Sequence, residues 1–249
     1  MSDGLFSLDG LTALVTGGGS GIGKAVAEAL SDADAEILLA GRRRDRLEAA
    51  LACRDGACFA ADIATSAGIA DLASWALARD RAPDILVNAA GLNLREPADR
   101  ISPESWDRTL DLNLKAPFFL ARALVPAMRD RGWGRIINIA SLQSSRAFEN
   151  GLAYGASKGG VAQLTRAMAE AWSRYGINAN ALAPGFFPTE LTGAVFADKD
   201  KAAALAAQTA IGRNGELADL VGPAVFLASP ASDYVTGQVL FVDGGFTAK

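Results

Sequence analysis

Histidine is absent from all 249 residues. Its absence removes the commonest general base, and with it any Ser-His-Asp arrangement or His-ligated metal. Cysteine is nearly absent as well. Cys53 and Cys58 are too few for a four-ligand zinc site and too isolated for a disulfide framework, so both are expected to be packing residues and no metal is expected. No stretch reaches the roughly 20 apolar residues that span a bilayer, and the N-terminal M-S-D-G-L-F-S-L-D-G lacks a basic region followed by an apolar run. A soluble, cytoplasmic protein without a membrane partner is expected. The net charge is -4 with both signs mixed along the chain, which argues against nucleic acid, whose binders carry a clustered basic face. Pro-rich and Ser-rich linkers are missing too, so residues 1–249 are expected to form a single domain.

What is present alternates regularly. Short runs rich in Val, Ile and Leu are separated by longer amphipathic segments, the pattern of parallel strands joined by crossover helices. Seven strands are expected, ending at Thr16, Ala40, Ala60, Asn88, Ala140, Leu182 and Val242. Their near-continuous hydrophobicity means burial on both faces, hence a doubly wound (Rossmann) α/β sheet with helices on each side. In such sheets ligands bind outside the carboxyl ends of the strands.

The chemistry-bearing residues gather at those ends. After the first strand comes T-G-G-G-S-G-I-G, Thr16 to Gly23, leading into a helix. Gly17, Ser20, Gly21, Ile22 and Gly23 there suit a pyrophosphate, which needs close backbone approach and a helix N-terminus. The second strand ends A-G-R-R-R. Gly41 stands where an acid would exclude a 2'-phosphate, and Arg42 and Arg43 follow, so NADP is favoured over NAD. The same arginines could instead pair in solvent with Asp45 and Glu48. Asp62, followed by Ile63, either accepts from an adenine amino group or caps the next segment, and Asn88 at the end of the fourth strand is equally ambiguous. Ala89 and Gly91 leave room for a ribose.

Ser141 closes the fifth strand, and Tyr154 and Lys158 follow at positions i and i+4 of a helix face. An ammonium beside a phenol favours its ionised form. Asn113 lies four residues before Pro117, whose ring frees the Asn113 carbonyl for another partner, an ordered water. The residues Asn93, Arg95, Gln143 and Arg146, with Glu149 and Asn150, form a polar and partly basic rim suited to a hydroxylated substrate. P-G-F-F-P-T, with Pro184, Gly185, Phe186, Phe187 and Thr189, precedes a stretch over about 186–212 that reads as a mobile lid.

Taken together, T-G-G-G-S-G-I-G, N-A-A-G, Asn113, Ser141, Y-G-A-S-K, P-G-F-F-P-T and V-D-G-G resemble a short-chain dehydrogenase/reductase over essentially the whole chain, in particular its gluconate 5-dehydrogenase-like members. Two positions depart from the pattern: Ala89 replaces a frequent Asn, and Ser20 stands where NADP-preferring members often carry a basic residue. The resemblance implies an NAD(P)-dependent oxidoreductase that moves a hydride between nicotinamide and a secondary alcohol or ketone, here a sugar, sugar acid or polyol. Tyr154 would be the acid/base, Lys158 would depress its pKa and hold the nicotinamide ribose, and Ser141 would bind the substrate oxygen. Asn113 would pass a water to Lys158. Pro184, Gly185 and Thr189 would cover the nicotinamide. A homotetramer is implied as well. A 3-oxoacyl carrier-protein reductase and a non-catalytic NADP-sensing protein are the alternative readings.

Overall fold

A computed structural model describes residues 4–52 and 54–249. The expectation for Cys53 lies outside the described residues. All seven expected strands are present: β1 (Thr12–Thr16), β2 (Glu36–Gly41), β3 (Gly56–Ala60), β4 (Ile85–Asn88), β5 (Gly134–Ile139), β6 (Ile177–Pro184) and β7 (Val239–Val242). They form one parallel sheet in the order β3-β2-β1-β4-β5-β6-β7. Strand order reverses between β1 and β4, which opens a crevice at their carboxyl ends.

The helices cover both faces because alternate strand residues are apolar on both sides. Val15, Leu39, Val87, Ile137 and Leu182 pack on one face with α1 (Gly21–Asp32) and α9 (Val221–Ala228). Leu14, Leu38, Leu86 and Ile136 pack on the other with α3 (Ser66–Leu77), α5 (Ala116–Arg131) and α6 (Leu152–Trp172). The remaining helices are α2 (Arg44–Leu51), α4 (Pro103–Leu110), α7 (Gly193–Ala197) and α8 (Lys199–Gln208). Cys58, on β3, packs against the first of these cores. No described helix is long and apolar enough to cross a membrane.

Three details depart from the simple reading of the sequence. β6 runs two residues past Leu182 to Pro184, because the proline is its last residue and Gly185 N–H continues the ladder to the Val242 carbonyl at 2.9 Å. The segment after β6 is largely helical: α8 is capped by Asp198, and Val195 and Leu205 are buried against Leu142 and Phe246. Between α4 and α5 the chain makes a π-turn over Asp111–Lys115, in which Ala116 N–H donates to the Asp111 carbonyl five residues back. Pro117 sits in the first turn of α5, so its disturbance of the helix ladder is absorbed by this wider turn.

At the opposite, amino-terminal end of the strands lies a buried cation. Arg135 on β5 is 2% exposed, stacks 4.2 Å over Trp133, and pairs with the mostly exposed Asp233 carboxylate, while its Nε has no hydrogen-bond partner.

Candidate active site

A cleft of about 470 Å³ opens at the carboxyl ends of the strands. Its floor on one side is the glycine turn. Gly17 has φ +69°, and a Cβ there would lie 2.9 Å from the Ala90 backbone; at Gly23 it would lie 2.4 Å from the Gly17 carbonyl. Side chains at either position would fill the cradle. Behind the turn, Ser20 stands at the N-cap of α1 without a side-chain capping bond, so the first N–H groups of the helix keep their capacity for an anion. A pyrophosphate fits what these residues offer. The Thr16 hydroxyl, which sequence reading passed over, accepts from Ala89 and Ala90 N–H at 3.1 and 3.2 Å and donates to the Val87 carbonyl at 3.4 Å. It ties the end of β1 to the end of β4.

The end of the cleft beside β2 and β3 is lined by Gly41, Arg42, Arg43, Arg46, Asp62 and Ile63. Asp62 accepts from Ala64 N–H at 3.1 Å, the turn-capping role, while facing the cleft. Neither expected partner takes Arg43: the acid it meets is Glu190, 2.8 Å away on the segment after β6, and it is Arg44 that pairs with Glu48. Asn88 is not in the cleft. It is buried beneath, donating to Asn138 Oδ1 at 2.9 Å, and Asn138 in turn donates to Thr165. Adjacent strand residues face opposite sides, so the position that ends β4 points into the sheet layer rather than at a nucleotide.

The catalytic candidates converge. Ser141 follows β5, where its Oγ accepts from Gln143 N–H at 3.1 Å, and it lines the same cleft as the Tyr154 phenol. Lys158 lies on the same face of α6, with Nζ 5.6 Å from the Tyr154 ring centroid and donating to the Ile139 carbonyl at 2.5 Å. Burial raises the phenol above its ordinary range, while the Ser141 hydrogen bond and the Arg95 charge act to lower it. Burial also brings Lys158 down to about 8. The Lys158 ammonium, close to the phenol ring, is directed at a backbone carbonyl and is itself weakened by desolvation. Asn113 lies just under the cleft floor. Its Oδ1 accepts from Leu92 N–H and its Nδ2 donates to the Leu92 carbonyl, both at 2.9 Å, and Nδ2 also reaches Ser157 Oγ at 3.0 Å. Gly91 brings the chain close: a Cβ there would meet Asn113 Oδ1 at 3.3 Å and Lys158 Nζ at 3.8 Å.

The sequence model of the family described as enoyl-(acyl carrier protein) reductase matches residues 17–247. A gluconate 5-dehydrogenase from Gluconobacter oxydans (strain 621H) is 42% identical over 251 residues, covering 98% of each chain. This chain belongs to the short-chain dehydrogenase/reductase family. A 2-dehydro-3-deoxy-D-gluconate 5-dehydrogenase from Bacillus subtilis (strain 168) is 41% identical, covering 98% of this chain and 97% of that one. Among solved structures, a gluconate 5-dehydrogenase from Burkholderia cenocepacia J2315 in complex with NADP and tartrate superposes with TM-score 0.95 at 40% identity, covering all of both chains.

In this dehydrogenase/reductase, Asn93, Arg95, Gln143 and Phe186 line the cleft, as do Pro184, Gly185 and Thr189. Arg95 has φ 55°, a left-handed conformation in which its N–H meets Asn93 Oδ1 at 3.3 Å. Gln143 Oε1 is buried without a partner, and the absence of a side chain at Gly151 makes room for it. Arg146 is not at the cleft. Its guanidinium donates to the carbonyls of Phe246 and Lys249 at 3.5 and 2.7 Å, so the chain's own C-terminal residues take the cation expected for substrate. Of the two expected cover phenylalanines, Phe186 joins Phe148 and Phe246 in an aromatic wall, and Phe187 is buried in the core under Gly215. Phe148, Phe246, Thr16, Ser157 and Glu190 were missed by sequence reading. Ser157 alone carried a local signal, a small polar residue one helical turn before Val161 on the buried face of α6.

Proposed function

We propose that this enzyme interconverts a hydroxyl and a ketone on a sugar acid of the gluconate type, with NADP(H) preferred to NAD(H). The observation that carries the reading is the pairing of Tyr154 and Ser141 with Arg95 in the wall of the cleft. That pairing offers an acid/base, an oxygen-positioning hydroxyl and a charge for a carboxylate within one cleft. Relatives that are gluconate dehydrogenases by name support the substrate class, and the NADP-bound Burkholderia structure supports the cofactor.

When bound, the nicotinamide cofactor supplies or takes the hydride. Ser141 Oγ holds the reacting oxygen, and the Tyr154 phenol gives that oxygen its proton during reduction. In oxidation the proton returns to Tyr154. Lys158, near 8, is the adjacent group that exchanges protons in the working pH range, and Asn113 fixes the floor against which it packs. The segment 186–212 covers the cleft and excludes water. The enzyme works in the cytoplasm as a homotetramer, with exposed Leu240 on the edge strand β7 and fully exposed Tyr234 as apolar surface for subunit contact.

Nicotinamide absorbance tests the reading. Gluconate and 5-ketogluconate should turn over, faster with the 2'-phosphorylated cofactor, and Arg95→Ala should raise KM for the acids. Turnover of 3-oxoacyl thioesters alone would overturn the substrate assignment.

A further inference from the structure

The β2 end lacks the acid that would recognise a free ribose 2'-hydroxyl, since Gly41 occupies that place. A carboxylate nevertheless reaches this corner from elsewhere in the chain. Glu190 follows Thr189 in the turn after β6, and its Oε2 accepts from Arg43 Nη2 at 2.8 Å; the same Nη2 lies 3.5 Å from Ser20 Oγ. The Glu190 carboxyl is held below its usual range chiefly by the Arg43 hydrogen bond, against desolvation and with help from the charges of Arg43 and Arg46. Arg43 therefore already holds an anion that the chain itself provides, with Ser20 bonded to the same guanidinium and the Arg46 charge nearby. All four residues line the cleft.

We propose that Glu190 is a specificity-determining residue: an internal anion seated in the 2'-phosphate subsite, which NADP must displace and beside which NAD can bind. This rests on the NADP reading given above. A phosphate at that corner carries close to two negative charges and cannot share Arg43 with a carboxylate at 2.8 Å without repulsion. A 2'-hydroxyl has no such conflict, because it can donate to Glu190 as it would to an acid at the β2 end. Glu190 thus narrows a preference that Arg43 and Gly41 would otherwise make strong. It also joins the chemistry to the cofactor, since its neighbour Thr189 faces Gly21, where a Cβ would approach it to 3.4 Å.

The ion pair is exposed, with side chains 52% and 55% accessible, so its removal should change binding by no more than about fivefold, the upper end for surface pairs. The experiment measures Kd for NADP+, NAD+, 2',5'-ADP and 5'-AMP on the wild-type enzyme, Glu190→Gln and Arg43→Ala by calorimetry. Glu190→Gln should bind NADP+ and 2',5'-ADP about three- to fivefold tighter while NAD+ and 5'-AMP stay level or weaken. Arg43→Ala should weaken only the two 2'-phosphorylated ligands. If Arg43→Ala does so but Glu190→Gln leaves NADP+ unchanged or weakens it, the Glu190 inference fails and the cofactor reading stands. If Arg43→Ala leaves every ligand unchanged, both fail.

Discussion

Replacing Lys158 by Met tests the electrostatics of the site directly. The lysine is 5% exposed, and burial lowers it from 10.5 to about 8, a difference of about 2.5 units. Keeping it protonated in the fold therefore costs about 3 kcal/mol at low pH. The sign follows from proton counting. Between pH 8 and 10.5 the unfolded chain holds the Lys158 proton and the folded chain has released it, so rising pH relieves the cost and stabilises the fold. Linkage places the remaining cost at about 3 kcal/mol at pH 7 and about 1 kcal/mol at pH 9.5. Lys158→Met has no such group. Unfolding in urea at both pH values should therefore show the wild type gaining about 2 kcal/mol on the variant as pH rises. All other titrating groups are shared and cancel. The lost hydrogen bond to the Ile139 carbonyl, worth about 1.5–3 kcal/mol for a charged donor, offsets most of the variant's advantage at pH 7, so the difference between pH values is the decisive quantity. A stability difference that does not change with pH would refute the buried-ammonium argument.

Tyr154→Phe should lower kcat by about 100- to 10,000-fold while leaving cofactor Kd within about twofold, because it removes only the proton donor; stopped-flow reduction with isolated cofactor binding measures both. Ser157→Ala takes from Asn113 Nδ2 its buried 3.0 Å acceptor and should cost about 1 kcal/mol, read as a melting temperature lower by about 2–4 °C, with kcat reduced through a looser floor. Asp233→Ala leaves the buried Arg135 without its carboxylate and should destabilise by about 1–3 kcal/mol, more than Arg135→Met does; equal urea midpoints would show that the pair is screened by solvent.

The strands were legible because parallel strands buried on both faces must be apolar throughout, and their ends shift by no more than a residue or two. Tyr154, Lys158 and Ser141 were legible for a related reason: helix spacing and a strand end are local, so sequence distance reports spatial distance. Where partners are remote, the residues were not. Arg43 meets an acid 147 positions away, and Arg146 meets a carbonyl 103 positions away. Nothing in A-G-R-R-R or S-S-R-A distinguishes a ligand-binding arginine from one already taken. Asn88 shows a subtler limit, since a polar residue at a strand end can face the cleft or the layer beneath, and its pairing with Asn138 depends on the register of β5. Pro117 pointed to a broken helix ladder at Asn113, and the response of the chain is a π-turn that aims the Asn side chain at Leu92 and Ser157.

The Thr16 hydroxyl, bonded to both Ala89 and Ala90 at the middle of the sheet, is a staple beneath the cleft that joins the end of β1 to the end of β4. On the function proposed above, exchanges on the β2–α2 rim would retune coenzyme choice and exchanges around Phe148 and Gln143 would retune what is oxidised, while the staple keeps the two halves at a constant separation. An engineer would therefore vary each half on its own, and treat position 190 as the one place where a change in either half has to be checked against the other.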